Sequence, residues 1–185
     1  MDFPSLLGRL SSGLEAAGIP HMVIGGQAVL VHGEPRFTQD IDVTVALEPG
    51  DVSLLVGVCD ALDLSVTVED REAFARRTHV LPVADDATGI RVDFVFSSTT
   101  YEREAIGRAV RRPVSGIQVP FASVEDLVVH KLLAGRPRDI EDVRGVVDRN
   151  ADQIDWGYVD KWAKAFSDVP GQEGLLELLA SVRVR

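Results

Sequence analysis

The sequence predicts an α/β fold of the α+β kind: a mixed β-sheet flanked by helices, followed by a helical C-terminal part. Three observations predict it. Short apolar, β-branched runs alternate with stretches of helical periodicity as far as residue 121. Glycine and proline punctuate the boundaries between those runs. From Ser123 onward only the helical period recurs. The chain therefore reads as an α/β core over residues 1–121 with a helical region over residues 122–185 packed on it.

The elements follow in order. Phe3, Leu6, Leu7, Leu10, Leu14 and Ala17 recur at helical spacing, and Gly18 with Pro20 stops the pattern. His21–Ile24 is a short buried strand, Gly25–Gly26 a turn, and Gln27–His32 a helix ended by Gly33. Residues 34–39 form an irregular connection into Asp40–Leu47, whose alternation and branched residues mark a strand. Pro49–Gly50 opens a helix running to about Leu62. Leu64–Val68 is a third strand, and a mixed polar stretch follows around Arg71–Arg77. Thr78–Val83 and Ile90–Phe96 form a hairpin across the turn-rich segment ADDATG, with a short helix near Thr100–Gly107 and a last strand at Ile117–Pro120. Ser123 with Asp126 resembles a capping arrangement, and helices are expected over Val124–Ala134, Pro137–Arg149, Trp156–Phe166 and Gln172–Val182.

Composition narrows the function classes. With 45% hydrophobic and 26% charged residues, the chain has the make-up of a globular protein. No apolar run approaches the roughly 20 residues that span a bilayer, so no membrane association is expected. The N-terminus lacks the pattern of a signal peptide, which makes the expected location cytoplasmic. The single cysteine, Cys59, lies in an apolar segment and reads as core; it excludes an internal disulfide and a thiolate metal cage. A net charge of −10 weighs against a general nucleic-acid binder. The charge is uneven, however: residues 1–60 carry two arginines against eight carboxylates, whereas residues 61–120 carry eight against nine. A local basic rim would still receive a polyanion.

Three features carry chemistry. On a strand Asp40 and Asp42 project from one face while Ile41 and Val43 face the packed side. Two such carboxylates repel unless a cation lies between them, which makes the pair a candidate Mg²⁺ site. Asp93 is one carboxylate in a strand that is apolar after Arg91. Left unpaired and buried it would be costly, so a metal, a solvent channel or an ion pair with Arg91 must accompany it. With the pair upstream, the metal reading gains weight. Gly25–Gly26 sits between an apolar strand and a helix, where glycine permits close approach of phosphate to free N–H groups, or simply a tight turn. Each feature alone is a weak signal.

Their order is specific. Ile24-Gly25-Gly26-Gln27-Ala28-Val29, Gly33, Arg36, Thr38, Asp40-Ile41-Asp42-Val43 and the later Asp93 resemble the signature of the DNA polymerase beta-type nucleotidyltransferase superfamily. They look most like its small bacterial branch, which includes nucleotidyltransferase toxins related to abortive-infection (AbiEii-like) systems. His130-Lys131-Leu132 and Gly135-Arg136-Pro137-Arg138-Asp139-Ile140-Glu141-Asp142 resemble the helical motif of the same branch. The resemblance covers residues 20–145 and leaves the last forty residues unmatched.

That resemblance implies a nucleotidyltransferase-type sheet and a reaction moving a nucleoside monophosphate from an NTP such as ATP to a hydroxyl acceptor. Asp40, Asp42 and Asp93 would hold Mg²⁺ or Mn²⁺, and Asp93 would help deprotonate the acceptor. Gly25, Gly26 and Lys131 would contact the triphosphate. Arg36 and Thr38 would touch phosphate or else form a salt bridge and a strand-entry cap. Asp139 and Asp142, at i and i+3, would organise Lys131 from behind. The acceptor stays open between a tRNA end, with an antitoxin as possible partner, a small molecule such as an antibiotic, and a protein. A catalytically silent nucleotide-binding or partner-binding module is the alternative of another class. His130 is expected to pack, and Trp156 and Trp162 to be core residues.

Overall fold

The computed structural model describes residues 2–183. Helix α1 (Phe3–Ala16) starts where the Asp2 carboxylate accepts from the Ser5 N–H at 3.1 Å, and buries Leu6, Leu7, Leu10 and Leu14. After β1 (His21–Ile24) the chain turns directly into α2 (Gly25–His32). The two glycines are thus the first residues of the helix rather than a separate turn, and Gly25 makes the sharp entry at φ +61°, which L side chains rarely adopt. Strand β2 (Asp40–Val45) leads through a 3₁₀ turn at Pro49–Asp51 into α3 (Val52–Ala61) and β3 (Leu64–Val66).

The polar stretch that follows is a helix, α4 (Arg71–Thr78). Its marks are local: Asp70 caps Ala73 N–H at 3.0 Å, and His79 closes the end in the left-handed region at φ +56°. That closure delays β4 to Val80–Asp85, two residues later than its pattern predicted. Strand β5 (Arg91–Phe96) and α5 (Thr100–Gly107) lie where expected. A strand that the sequence reading did not contain, β6 (Val110–Val114), pairs with β7 (Ile117–Phe121) across the Ser115–Gly116 turn, both of whose residues have positive φ. It escaped detection because VRRPV is an edge strand with an exposed middle, so it lacks an apolar face to read. Helices α6 (Val124–Ala134), α7 (Pro137–Asn150), α8 (Trp156–Ser167) and α9 (Leu175–Arg183) complete the chain.

Among the described residues the strands form one mixed sheet in the order β3-β4-β5-β2-β1-β7-β6. The β2/β5 and β1/β7 pairs are parallel and the others antiparallel. Ile41, Val43, Val45, Val92, Phe94 and Phe96 turn to the core at 1% exposure or less, which leaves the carboxylates of β2 and β5 on the opposite face. Two ties bind the C-terminal part to the last residue of α2. His32 Nε2 lies 2.8 Å from the Ala122 carbonyl, and Asn150 donates to the His32 carbonyl at 2.8 Å. No helix among the described residues is long and apolar enough to cross a membrane.

Candidate active site

Sheet register assembles the acidic floor. Ile24 pairs with Asp42 across β1/β2, and Asp42 pairs with Asp93 across β2/β5, so three neighbouring strands bring Gly25, Asp42 and Asp93 into one row. Asp40 pairs with Arg91 one step along the same face. The glycines have a steric reason: a Cβ on Gly25 would collide with the Asp42 carboxylate, and one on Gly26 would stand 2.9 Å from Thr38 Cβ. Asp42 thereby packs against the first turn of α2.

The electrostatics of this row are strained. Burial, then Asp40 and Asp93, push the Asp42 carboxyl up to about 6, against the opposing pull of Lys131 and Arg136. Burial also raises Asp93, with Arg91 lowering it and Asp40 raising it. The Asp93 carboxylate lies 3.8 Å from Arg91 Nη2. Among the described residues no three side chains are already gathered as a ready ligand set. The donor set nevertheless suits a hard divalent cation: three oxygen-bearing side chains on one face, one of them made harder to ionise by burial and then by its two neighbours.

Above the floor stands a wall from α6 and α7. A cleft of about 480 Å³ is lined by Gly25, Gly26, Arg36, Thr38, Asp40, Asp42 and Asp93 on one side and by Leu127, His130, Lys131, Ala134, Arg136, Arg138 and Asp139 on the other, with Ile24 at its base. Every residue that the sequence singled out for the site lies here except Asp142, which stands behind the wall. Lys131 Nζ reaches Asp139 Oδ1 at 2.6 Å and Asp142 Oδ2 at 2.8 Å. Arg36 donates to both oxygens of Asp142, from Nε at 2.8 Å and Nη2 at 3.0 Å. The salt-bridge alternative for Arg36 is therefore the one observed, and the network fastens the loop before β2 to the α6–α7 corner. Thr38 then donates to Asp40 Oδ1 at 3.2 Å, carrying that order to the floor. Lys131 has three N–H groups, of which one is given to Asp139, while Asp142 neutralises its charge.

Arg136 and Arg138 are cleft residues that the sequence reading quoted without assigning a place. The signal was present: cations flanking Pro137 at the head of a helix oppose its dipole and need another reason to be there. Arg136 has an 81% exposed side chain, and Arg138 donates to the Phe37 carbonyl at 3.0 Å. His130 both packs and faces the cleft: its ring stands at 86° to Tyr101 with centroids 5.5 Å apart. Trp162 is a packing residue, 4.9 Å from the Tyr101 ring centroid.

Comparison with known proteins gives the family and agrees with the fold. The family described as "Nucleotidyltransferase of unknown function (DUF6036)" matches residues 12–173, and the chain belongs to it. No curated protein sequence matches. Among solved structures, the antibiotic-resistance factor ANT(2'')-Ia superimposes with a TM-score of 0.62 at 16% identity, over 96% of each chain. An antigenic nucleotidyltransferase-like protein from Paracoccidioides brasiliensis gives 0.58 at 15% identity, over 95% of this chain and 92% of its own. The lincosamide antibiotic adenylyltransferase LnuA gives 0.52 at 11% identity, over 79% and 96%. At these identities the likeness establishes the fold.

Proposed function

We propose that this member of the nucleotidyltransferase family transfers a nucleoside monophosphate from an NTP to a hydroxyl acceptor in the cytoplasm, with Asp40, Asp42 and Asp93 as the catalytic carboxylates. The observation that carries the reading is the register that sets Asp42 beside Asp93 and against Gly25, at the floor of a cleft whose other wall is cationic. The carboxylates would hold Mg²⁺ or Mn²⁺, which when bound supplies charge stabilisation at the α-phosphorus and the leaving pyrophosphate.

The chain's own groups supply the rest. The N–H groups at the start of α2, where Gly25 and Gly26 put no side chain into the cleft, receive phosphate oxygens. Lys131 gives N–H groups free of its bond to Asp139, held in place by Asp139 and Asp142. Arg36 and Thr38 keep the loop and Asp40 in position. Asp93, raised by burial, takes the proton of the acceptor hydroxyl as its oxygen attacks the α-phosphorus. The bond from that phosphorus to the bridging oxygen breaks, and pyrophosphate leaves.

Arg91, Arg136 and Arg138 around the mouth favour an anionic acceptor, so a tRNA end is the first choice. An acceptor of that kind would suit a toxin of the abortive-infection type restrained by an antitoxin. A small-molecule acceptor is the second reading, favoured by the fold shared with two antibiotic-related proteins along nearly the whole of their chains. The test is Mg²⁺-dependent transfer from α-labelled NTPs to three acceptors: an RNA pool, a panel of aminoglycosides and lincosamides, and lysate protein. Label on RNA with release of pyrophosphate, abolished by Asp42→Ala, is the expected result. Absence of label with every NTP, combined with unimpaired NTP binding by Asp42→Ala, would refute the enzyme and leave a nucleotide-binding module.

A further inference from the structure

His130 is the one titratable side chain of the cleft that the proposed reaction does not use. It precedes Lys131 on α6, and its Nδ1 is sealed from solvent with no hydrogen-bond partner. Nε2 is then the only polar atom through which the ring can meet a ligand. A buried N–H without an acceptor is rarer and more costly than a buried lone pair, so the ring proton belongs on Nε2. Burial holds the imidazole below its ordinary pKa, helped by Lys131 and opposed by Asp126 and Glu102, which keeps it neutral near neutrality. A neutral ring in this tautomer presents a donor to the cleft and has no basic nitrogen there.

The other donors of this wall are drawn toward protein oxygens or stand out in solvent, as the 81% exposed Arg136 side chain does. Lys131 donates to Asp139 and is ion-paired with Asp142, and Arg138 is engaged at the Phe37 carbonyl. The edge-on contact with Tyr101 fixes the plane of the His130 ring, so its N–H is aimed before any ligand arrives.

We propose that His130 donates from Nε2–H to a phosphate oxygen of the bound nucleoside triphosphate, beside Lys131. The assignment deepens the nucleotidyl-transfer reading and rests on it. The test uses the full chain with ¹⁵N-labelled histidine, free and with Mg²⁺ plus non-transferable α,β-methylene NTPs. In the free protein His130 is expected as the Nε2–H tautomer, and its Nε2–H resonance should move downfield with nucleotide. His130→Phe, which keeps the aromatic contact with Tyr101, should weaken nucleotide binding about ten-fold. His130→Gln, which restores an N–H, should stay within about three-fold of wild type. An Nδ1–H tautomer in the free protein overturns the assignment, as does nucleotide binding with an unmoved His130 signal or with His130→Phe equal to wild type. Failure of wild type to bind any of the NTPs overturns the function beneath it instead.

Discussion

Replacing Asp42 by Asn separates the cation-binding argument from any assay of turnover. The Asp42 carboxyl stands at about 6 in the folded protein against an ordinary 3.8. A folded-state pKa raised in this way means that folding favours the protonated form. Stability from this group is complete below about pH 4 and is lost as pH rises through about 6. At about 1.4 kcal/mol per unit the full loss approaches 3 kcal/mol, and solvent entering by the cleft reduces it to about 1–3 kcal/mol. Asn carries no charge to desolvate. Asp42→Asn is therefore expected to match wild type at about pH 4 and to exceed it by about 1–3 kcal/mol at about pH 7.5. Urea unfolding at the two pH values measures the difference, with the contributions of other groups cancelling between the two proteins. Millimolar Mg²⁺ at the higher pH should then raise wild-type stability clearly more than that of the variant, which lacks the most buried of the three carboxylates and most of the repulsion for a cation to relieve. A difference that stays constant with pH, or a wild type indifferent to Mg²⁺, would refute the reasoning.

Other substitutions probe the frame. Gly25→Ala forces a Cβ into the Asp42 carboxylate at φ +61°; a loss of about 2 kcal/mol or more in urea unfolding, with loss of Mg²⁺-dependent stabilisation, is expected. Asp85, 1% exposed, accepts from Arg9 Nη1 at 3.0 Å and from the Thr88 N–H and hydroxyl at 3.0 and 2.5 Å. Asp85→Ala should cost about 3 kcal/mol and lower the melting temperature without altering nucleotide affinity, measured by calorimetry. Cys59 is fully buried, and burial followed by the neighbouring Asp60 pushes its thiol up to about 12. A thiol-specific disulfide reagent should label it only at the rate of unfolding; fast labelling of native protein would contradict that burial.

Legibility in the sequence followed the range of the interactions. The alternation in DIDVTV and RVDFVF sets which residues face the core, and the structure keeps that division except at Thr44, which is buried as well. The helix over Val124–Ala134 was bounded by Ser123 and Gly135, a cap and a left-handed stop that act within one turn. Helix α4 and strand β6 were harder, since neither REAFARRT nor VRRPV shows an apolar face. Their formation depends on what lies beside them. The status of Arg36 was equally invisible, because its partner Asp142 lies 106 residues away.

By itself the sequence determined most of the elements, the face on which each carboxylate stands, and an ordered motif that resembles nucleotidyltransferases. Those properties come from backbone geometry and side-chain chemistry, which act over a few residues. Tertiary structure alone decided that Asp42 meets Asp93 in a parallel pair and packs on Gly25, that Lys131 is shared between two carboxylates, and that Arg136, Arg138 and His130 share the cleft. Strand register and helix docking are set by packing the whole core at once, and no local pattern records their outcome.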